Sequence, residues 1–311
     1  MWKTRNSTAV KKVAIRKDAA TARVLRRLRT FLDRKEPELV RILVRTWNTQ
    51  GRAITYKEIR EALLAGEISA DLLDEWMQDY TKFVTDHLLP SWLEAMDVAA
   101  KELTAKYPEW NYMPFSNGVR EWTSIRAAEF VTNSTNAQIE GLRAVIRRAA
   151  GLEDMTVDEL ARAVRPMVGL TKQQGIANMN YYESLIKNGV SKKRALELST
   201  KYAAKMHRYR GYNIARTELA FAYNHGAHEG IKQAQAAGYM GEMVKVWCTA
   251  DDERTCEYCN ELEGKVIAMD EDFDFKTRLT TPGIKLTPPA HPGCRCTVLY
   301  QEVSPPIYQN R

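Results

Sequence analysis

The chain has no apolar run near the roughly 18 residues that a membrane-crossing helix requires, so nothing in it reads as a transmembrane span. Its opening stretch, "MWKTRNSTAVKKVAIRK", lacks the apolar core of a secretory leader. The expectation is a protein that stays in the cytoplasm or in an assembly built there. No phosphate-cradling P-loop, no G-x-S-x-G elbow and no H-E-x-x-H helix occurs. That removes the residue evidence for nucleotide hydrolysis, serine-hydrolase chemistry and zincin-type proteolysis. Solenoid repeats and low-complexity segments are also missing. Cysteine is scarce: five in 311 residues. An odd, sparse set in a reducing compartment argues against a disulfide framework and for metal binding.

Hydrophobic residues make up 44% and charged residues 27%, the balance of a globular chain of about two domains. The net charge of +7 is unevenly placed. Residues 1–35 carry twelve Lys and Arg against Asp18 and Asp33, a local +10 that leaves the rest at −3. Within this basic N-terminal arm, Lys11, Lys12, Arg16, Lys17, Arg23, Arg26 and Arg27 are the candidate contacts to DNA phosphates or to an acidic partner surface. A solvated helix face accounts for such a run equally simply.

From about residue 20 to 237 the pattern is helical. Leu73, Trp76, Tyr80, Phe83, Val84 and His87 recur at three- and four-residue spacing, one face of an amphipathic helix. Pro90 is expected to kink or interrupt it. "PEWNYMPFSNG" reads as a loop, and the following segment to Gly151 as two helices or one bent helix. Thr55 with Glu58 and Thr156 with Glu159 have capping-box spacing. Ser191 opens a long helical stretch that is expected to break near Gly211 and end about Ala237.

At Gly238 the texture changes. "MVKVWCTA", "GKVIAMD", "GIKLTPP" and "CTVLYQEV" are short β-branched runs broken by Gly, Pro and Asp. The fold class is therefore α+β: a mainly α-helical body, 36–237, followed by a small β-rich module, 238–303, and a tail, 304–311. A module of that size buries little apolar surface and needs a staple.

The staple is legible. Cys256 and Cys259 have the two-residue gap of a zinc knuckle, and His291 and Cys294 repeat that gap, with Cys296 as a fifth candidate. Four of the five close a tetrahedral shell around a structural Zn2+. The first choice is Cys256, Cys259, His291 and Cys294, although Cys296 can replace either of the last two. Packed thiols or a redox pair are the plainer alternative. Cys248, on an expected strand, reads as a small buried apolar residue. The acidic groups Asp251, Asp252, Glu253, Glu257 and Glu261 read as turn formers.

The pieces "WCTADDERTCEYCNELEGKV", "DEDFDF" and "PPAHPGCRCTVLY", with the helical run that leads through "IARTE" to "NHGAHEG", resemble the phage head-morphogenesis family, minor head proteins similar to the F protein of phage Mu. The resemblance spans roughly residues 120–300. It implies a low-copy virion protein without enzymatic activity, at the portal vertex or inside the shell. Its role would be head assembly and DNA packaging or delivery. The implied partners are the portal protein, the major capsid protein or both, and packaged double-stranded DNA through the basic arm, with no membrane contact. Arg216, Thr217, Glu218 and Asn224 fall in the recurring helical segment and read as a polar network that clamps this helix to a neighbour. The competing class is a metal-dependent nuclease with His291 as general base. No Asn or His follows His291 at helical spacing to complete such a site.

Overall fold

The computed structural model describes residues 19–65, 68–104, 107–150, 156–250, 252–274 and 286–304. Lys11, Lys12, Arg16 and Lys17 lie outside that set, as do the first three residues of "GIKLTPP" and the tail after Ser304; the rest of that run, 286–289, is not strand. The helical body comprises α1 (Ala19–Ala53), α2 (Tyr56–Ala65), α3 (Ala70–Phe83), α4 (Leu89–Thr104), α5 (Asn117–Ala150), α6 (Val157–Val164), α7 (Lys172–Lys187) and α8 (Lys192–Ala236). The C-terminal module holds β1 (Glu242–Cys248), a short α9 (Glu257–Leu262), β2 (Val266–Ala268) and β3 (Thr297–Ser304). The α+β class with a small terminal β module is what the patterning implies.

Local chemistry sets the helix starts. Thr55 and Glu58 cap each other reciprocally at α2, as Thr156 and Glu159 do at α6. Thr171 and Gln174 form a third capping box at α7. Ser69 accepts the Leu72 N–H at α3, and Ser191 accepts the Arg194 N–H at α8.

Two of three helical expectations change in detail. Pro90 does not interrupt the chain. A π-helical turn, Val84–Leu88, precedes it, and the Leu89 N–H reaches Val84 O, five residues back. The wider turn passes the chain through a proline that has no N–H to give. The segment before Gly151 is one helix, α5, where two helices or one bent helix are the expected alternatives. No break occurs at Gly211: α8 runs unbroken for 45 residues. A Cβ on Gly211 would sit 3.2 Å from Val40 Cγ1. The glycine there serves close approach to α1 rather than termination.

The chain divides into two compact units, each assembled from separated segments. One comprises Met1–Lys35, Ser91–Arg120 and Arg216–Arg311; the other comprises Glu36–Pro90 and Glu121–Ala215. Every crossing point between them falls inside a helix.

The second, all-helical unit has a continuous apolar core that includes Ile59, Trp76, Leu142, Val145, Leu160 and Met179. A buried polar chain lies beside it. Trp47 Nε1 donates to Tyr80 OH (2.8 Å), and Tyr80 OH donates to Gln138 Oε1 (2.7 Å). Gln138 Nε2 donates to Gln50 Oε1 (3.1 Å), and Gln50 Nε2 to Asp79 Oδ2 (3.0 Å).

The first unit carries the sheet, with strand order β2-β1-β3 and both pairings antiparallel. One apolar cluster of the sheet joins Val246, Cys248 and Leu299, covered by Ala20, Val24 and Leu25 of α1 and by Val266, and Trp247 packs edge-on against buried Phe273. The described part of the basic N-terminal stretch is therefore a helix laid on the sheet. In the same unit, α8 approaches α4 closely. A Cβ on Gly226 would meet Met96 Cα at 2.2 Å, and one on Gly230 would meet Ala100 Cβ at 2.8 Å.

Candidate metal centre

The first knuckle sits at a helix start. Cys256 is the N-cap of α9, and its Sγ accepts the Cys259 N–H at 3.4 Å, so one turn places both sulfurs on the same side. The second knuckle is a turn in which the Cys294 N–H reaches His291 O at 3.1 Å and Gly293 adopts φ +74°. A side chain at 293 would be strained there. The two knuckles are 32 residues apart in sequence but converge in space. His291 Nε2 lies 3.1 Å from Cys256 Sγ and 3.3 Å from Cys259 Sγ. Cys259 Sγ lies 3.8 Å from Cys294 Sγ.

Two groups of three donors result, Cys256–Cys259–His291 and Cys259–Cys294–Cys296, each with its ligand atoms within 4.8 Å of one another. Cys259 belongs to both. Cys259, Cys294 and Cys296 are buried, and Cys256 and His291 partly so. Each group of three has donor types and spacing that could hold a soft divalent ion: sulfurs bound to one tetrahedral zinc stand about 3.8 Å apart. His291 Nδ1 lies 3.0 Å from Pro292 O, which orients the ring so that Nε2 faces the sulfurs. Both ring nitrogens are thus engaged, which does not suit a general base.

The thiols also act on one another. Hydrogen bonding from Cys259 and Cys296 holds the Cys294 thiol well below its usual range, and the same contacts push Cys259 and Cys296 up. Cys248 stands apart, buried on β1, with its Sγ 3.5 Å from Val246 O.

The helix α8 backs the centre along one face. Thr217 Oγ1 accepts the Gly293 N–H at 3.0 Å, within the His291–Cys294 turn. Thr297 Oγ1, one residue beyond Cys296, donates to Asn224 Oδ1 at 2.8 Å. The Asn224 amide is itself fixed by Ala220 O at 2.9 Å. One turn further, the His228 ring lies 6.3 Å from the Tyr300 ring, and burial pushes its imidazole down to about 3. Glu218 is buried and Arg216 partly exposed.

Sequence reasoning missed a charged pair beside the centre and a buried charge on the sheet. Arg295, between Cys294 and Cys296, makes a bidentate pair with Asp252, and this holds the Asp252 carboxyl well below the usual carboxylate range. Lys245, on β1, is fully buried. It donates to Glu271 O (2.7 Å) and Leu286 O (3.0 Å), and desolvation pulls its ammonium down to about 8. No local pattern distinguishes either from a solvated cation. Among the expected basic contacts, Arg23 and Arg26 are exposed on α1, and Arg27 lies 3.7 Å from Glu102.

The class that fold and site define is a helical protein whose small antiparallel module gathers cysteines and a histidine into a metal-ligand cluster. Residues 155–299 match the family described as Phage Mu protein F like protein. The matched stretch runs from α6 to β3 and contains the whole cluster together with the α8 face that backs it. No curated protein and no solved structure matches the chain. Among the described residues no helix is long and apolar enough to cross a membrane.

Proposed function

We propose that the chain is a minor head protein of a phage, present in few copies at the portal vertex or inside the shell, where it acts in head assembly and in DNA packaging or delivery. The observation that carries this reading is the Phage Mu F-like match over residues 155–299. It takes in the cysteine cluster and its helical backing together, so the matched sequence is a folded device and not a lone motif. The family resemblance supports a structural role rather than a catalytic one.

The metal is zinc, held by four of Cys256, Cys259, His291, Cys294 and Cys296. When bound, it supplies a cross-link between chain segments and no reaction. The residues around it do the rest: Pro292 O orients the His291 ring, and Thr217 anchors the second knuckle to α8. The partners are the portal protein or the major capsid protein. Lys11, Lys12, Arg16, Lys17 and Arg23 make sequence-neutral contacts to packaged DNA.

Quantitative mass spectrometry of gradient-purified heads tests the main reading. The chain should be present at a small fraction of the major capsid protein, and deleting its gene should reduce infectious particles. Heads that never contain it overturn the reading. Replacing Lys11, Lys12, Arg16 and Lys17 with Gln should make the salt dependence of DNA binding shallower, by about 0.9 in log–log slope for each phosphate no longer neutralised. An unchanged slope removes DNA from the partners of this arm.

A further inference from the structure

A second concavity lies in the sheet-bearing unit, beside the metal centre but not part of it. It encloses about 470 Å³ between the first turns of α1, the start of the Arg216–Arg311 segment and the turns that carry the two knuckles. Five arginines line it: Arg26 and Arg29 from α1, Arg216 from α8, Arg254 from the first knuckle's turn and Arg295 from the second. Asp33 and Asp252 are the acidic residues in the lining. Among the described residues the positive surplus is therefore three.

The remaining wall is apolar. Leu25, Leu28 and Leu32 lie at three- and four-residue spacing on one face of α1, with Ala22 and Ala250 beside them. Leu28 and Leu32 are buried and Leu25 half-buried, whereas Arg26 and Arg29 are exposed. Aspartates already orient part of the rim. Arg295 is held bidentately by Asp252, with Arg254 3.9 Å from the same carboxylate, and Arg29 lies 3.6 Å from Asp33. Such tethering lowers the conformational entropy that an arginine loses on binding.

We infer that this cavity is a docking site for a short acidic peptide with apolar side chains, contributed by another polypeptide. Shape and chemistry both select that occupant. Duplex DNA presents a broad phosphate ridge with no apolar group to cover half-buried Leu25 and the alanines beside it, and its contacts need an open basic surface rather than a concavity of this size. A peptide with apolar anchors fills such a groove, and carboxylates flanking the anchors match the rim. The second knuckle supplies Arg295 and the first Arg254, so the metal staple also sets the geometry of this recognition surface.

The experiment uses the full-length, metal-loaded protein and three fluorescein-labelled probes: the peptide (Glu-Glu-Leu)4, its (Gln-Gln-Leu)4 counterpart, and a 20-base-pair duplex. Fluorescence anisotropy should show binding of the Glu peptide and at least about tenfold weaker binding of the Gln peptide. Arg26→Glu and Arg29→Glu, both on an exposed helix face, should each weaken the Glu peptide by about tenfold or more. Lys201→Glu, exposed on α8 in the other unit, should leave it unchanged. Hydrogen exchange on the unaltered protein supplies a readout free of folding effects: the Glu peptide should protect residues 22–33 and 252–256. Four results overturn the inference: no binding of the Glu peptide, equal binding of the Gln peptide, protection confined to other segments, or DNA held more tightly through Arg26 and Arg29. None of them bears on whether the chain is found in heads, so the head-protein reading stands or falls separately.

Discussion

The two units solve the same problem with different means. The all-helical unit has a broad apolar core around Trp76, Leu142, Val145 and Met179, and its buried polar groups hydrogen-bond one another from Trp47 to Asp79. In the sheet unit one apolar cluster joins Val246, Cys248 and Leu299 under α1, and Trp247, Ile267, Phe273, Val298 and Tyr300 are buried as well. A three-stranded sheet is nonetheless small to stand by itself. The five Cys and His ligand groups lie in that unit, and α8 ties their turns down through Thr217 and Asn224. One unit is held by burial and buried hydrogen bonds; the other adds a set of ligands that a metal can cross-link.

The sharpest way to break this contrast is to take away the ligand that both donor groups share. Cys259→Ser, or exhaustive chelation of the wild type, should unfold the C-terminal module and release the metal. Structural zinc contributes on the order of 10 kcal/mol in zinc-finger peptides. Far-UV circular dichroism, dominated by the helices, should change little, while near-UV signals from Trp247 and Tyr300 should collapse. A module that stays folded and metal-free would remove the staple from the account.

Next in size is the reverse operation on the other unit. Trp76→Ala should cost about 3–5 kcal/mol, since Trp76 is 1% exposed within the helical core. Denaturant unfolding measures the loss, and metal content should stay at the wild-type value. A drop in bound metal would show that the two means of stabilisation are not separate.

Tyr80→Phe keeps the ring and removes the hydroxyl that accepts from Trp47 and donates to Gln138. Two buried polar atoms are then without a partner, for an expected cost of about 2 kcal/mol. A neutral result would mean that the polar chain contributes little beside the core. The smallest change is Thr171→Ala, which deletes the α7 capping box for about 1 kcal/mol. Its effect should appear in the helical unit's unfolding and leave the module's chelator sensitivity unaltered.

How much is legible in the sequence follows from the range of each interaction. Capping pairs lie three residues apart, so Thr55–Glu58 and Thr156–Glu159 can be read directly. The face formed by Thr217, Asn224 and His228 follows from helical periodicity. What meets that face does not: Gly293, Thr297 and Tyr300 lie more than seventy residues away. Asp252 and Arg295 are 43 residues apart, and each alone reads as a surface charge. Gly211 has the local signature of a break, and only the neighbouring Val40 shows why the helix continues. Pro90 reads as an interruption because a proline's missing N–H is a local fact. The π turn that accommodates it depends on a helix already held by buried Phe83 and Leu88.

Taken alone, the sequence determined the α+β class, the helical body, the ligand types for a metal and the resemblance to phage head proteins, because these rest on composition, periodicity and short spacings. Tertiary structure decided which groups converge. It set Cys259 at the junction of two ligand groups, buried Lys245 within the sheet unit, and gathered five arginines around a leucine wall. The physical reason is that metal coordination, desolvation and charge complementarity act over a few ångströms in space, and no local pattern records which distant segments folding brings that close.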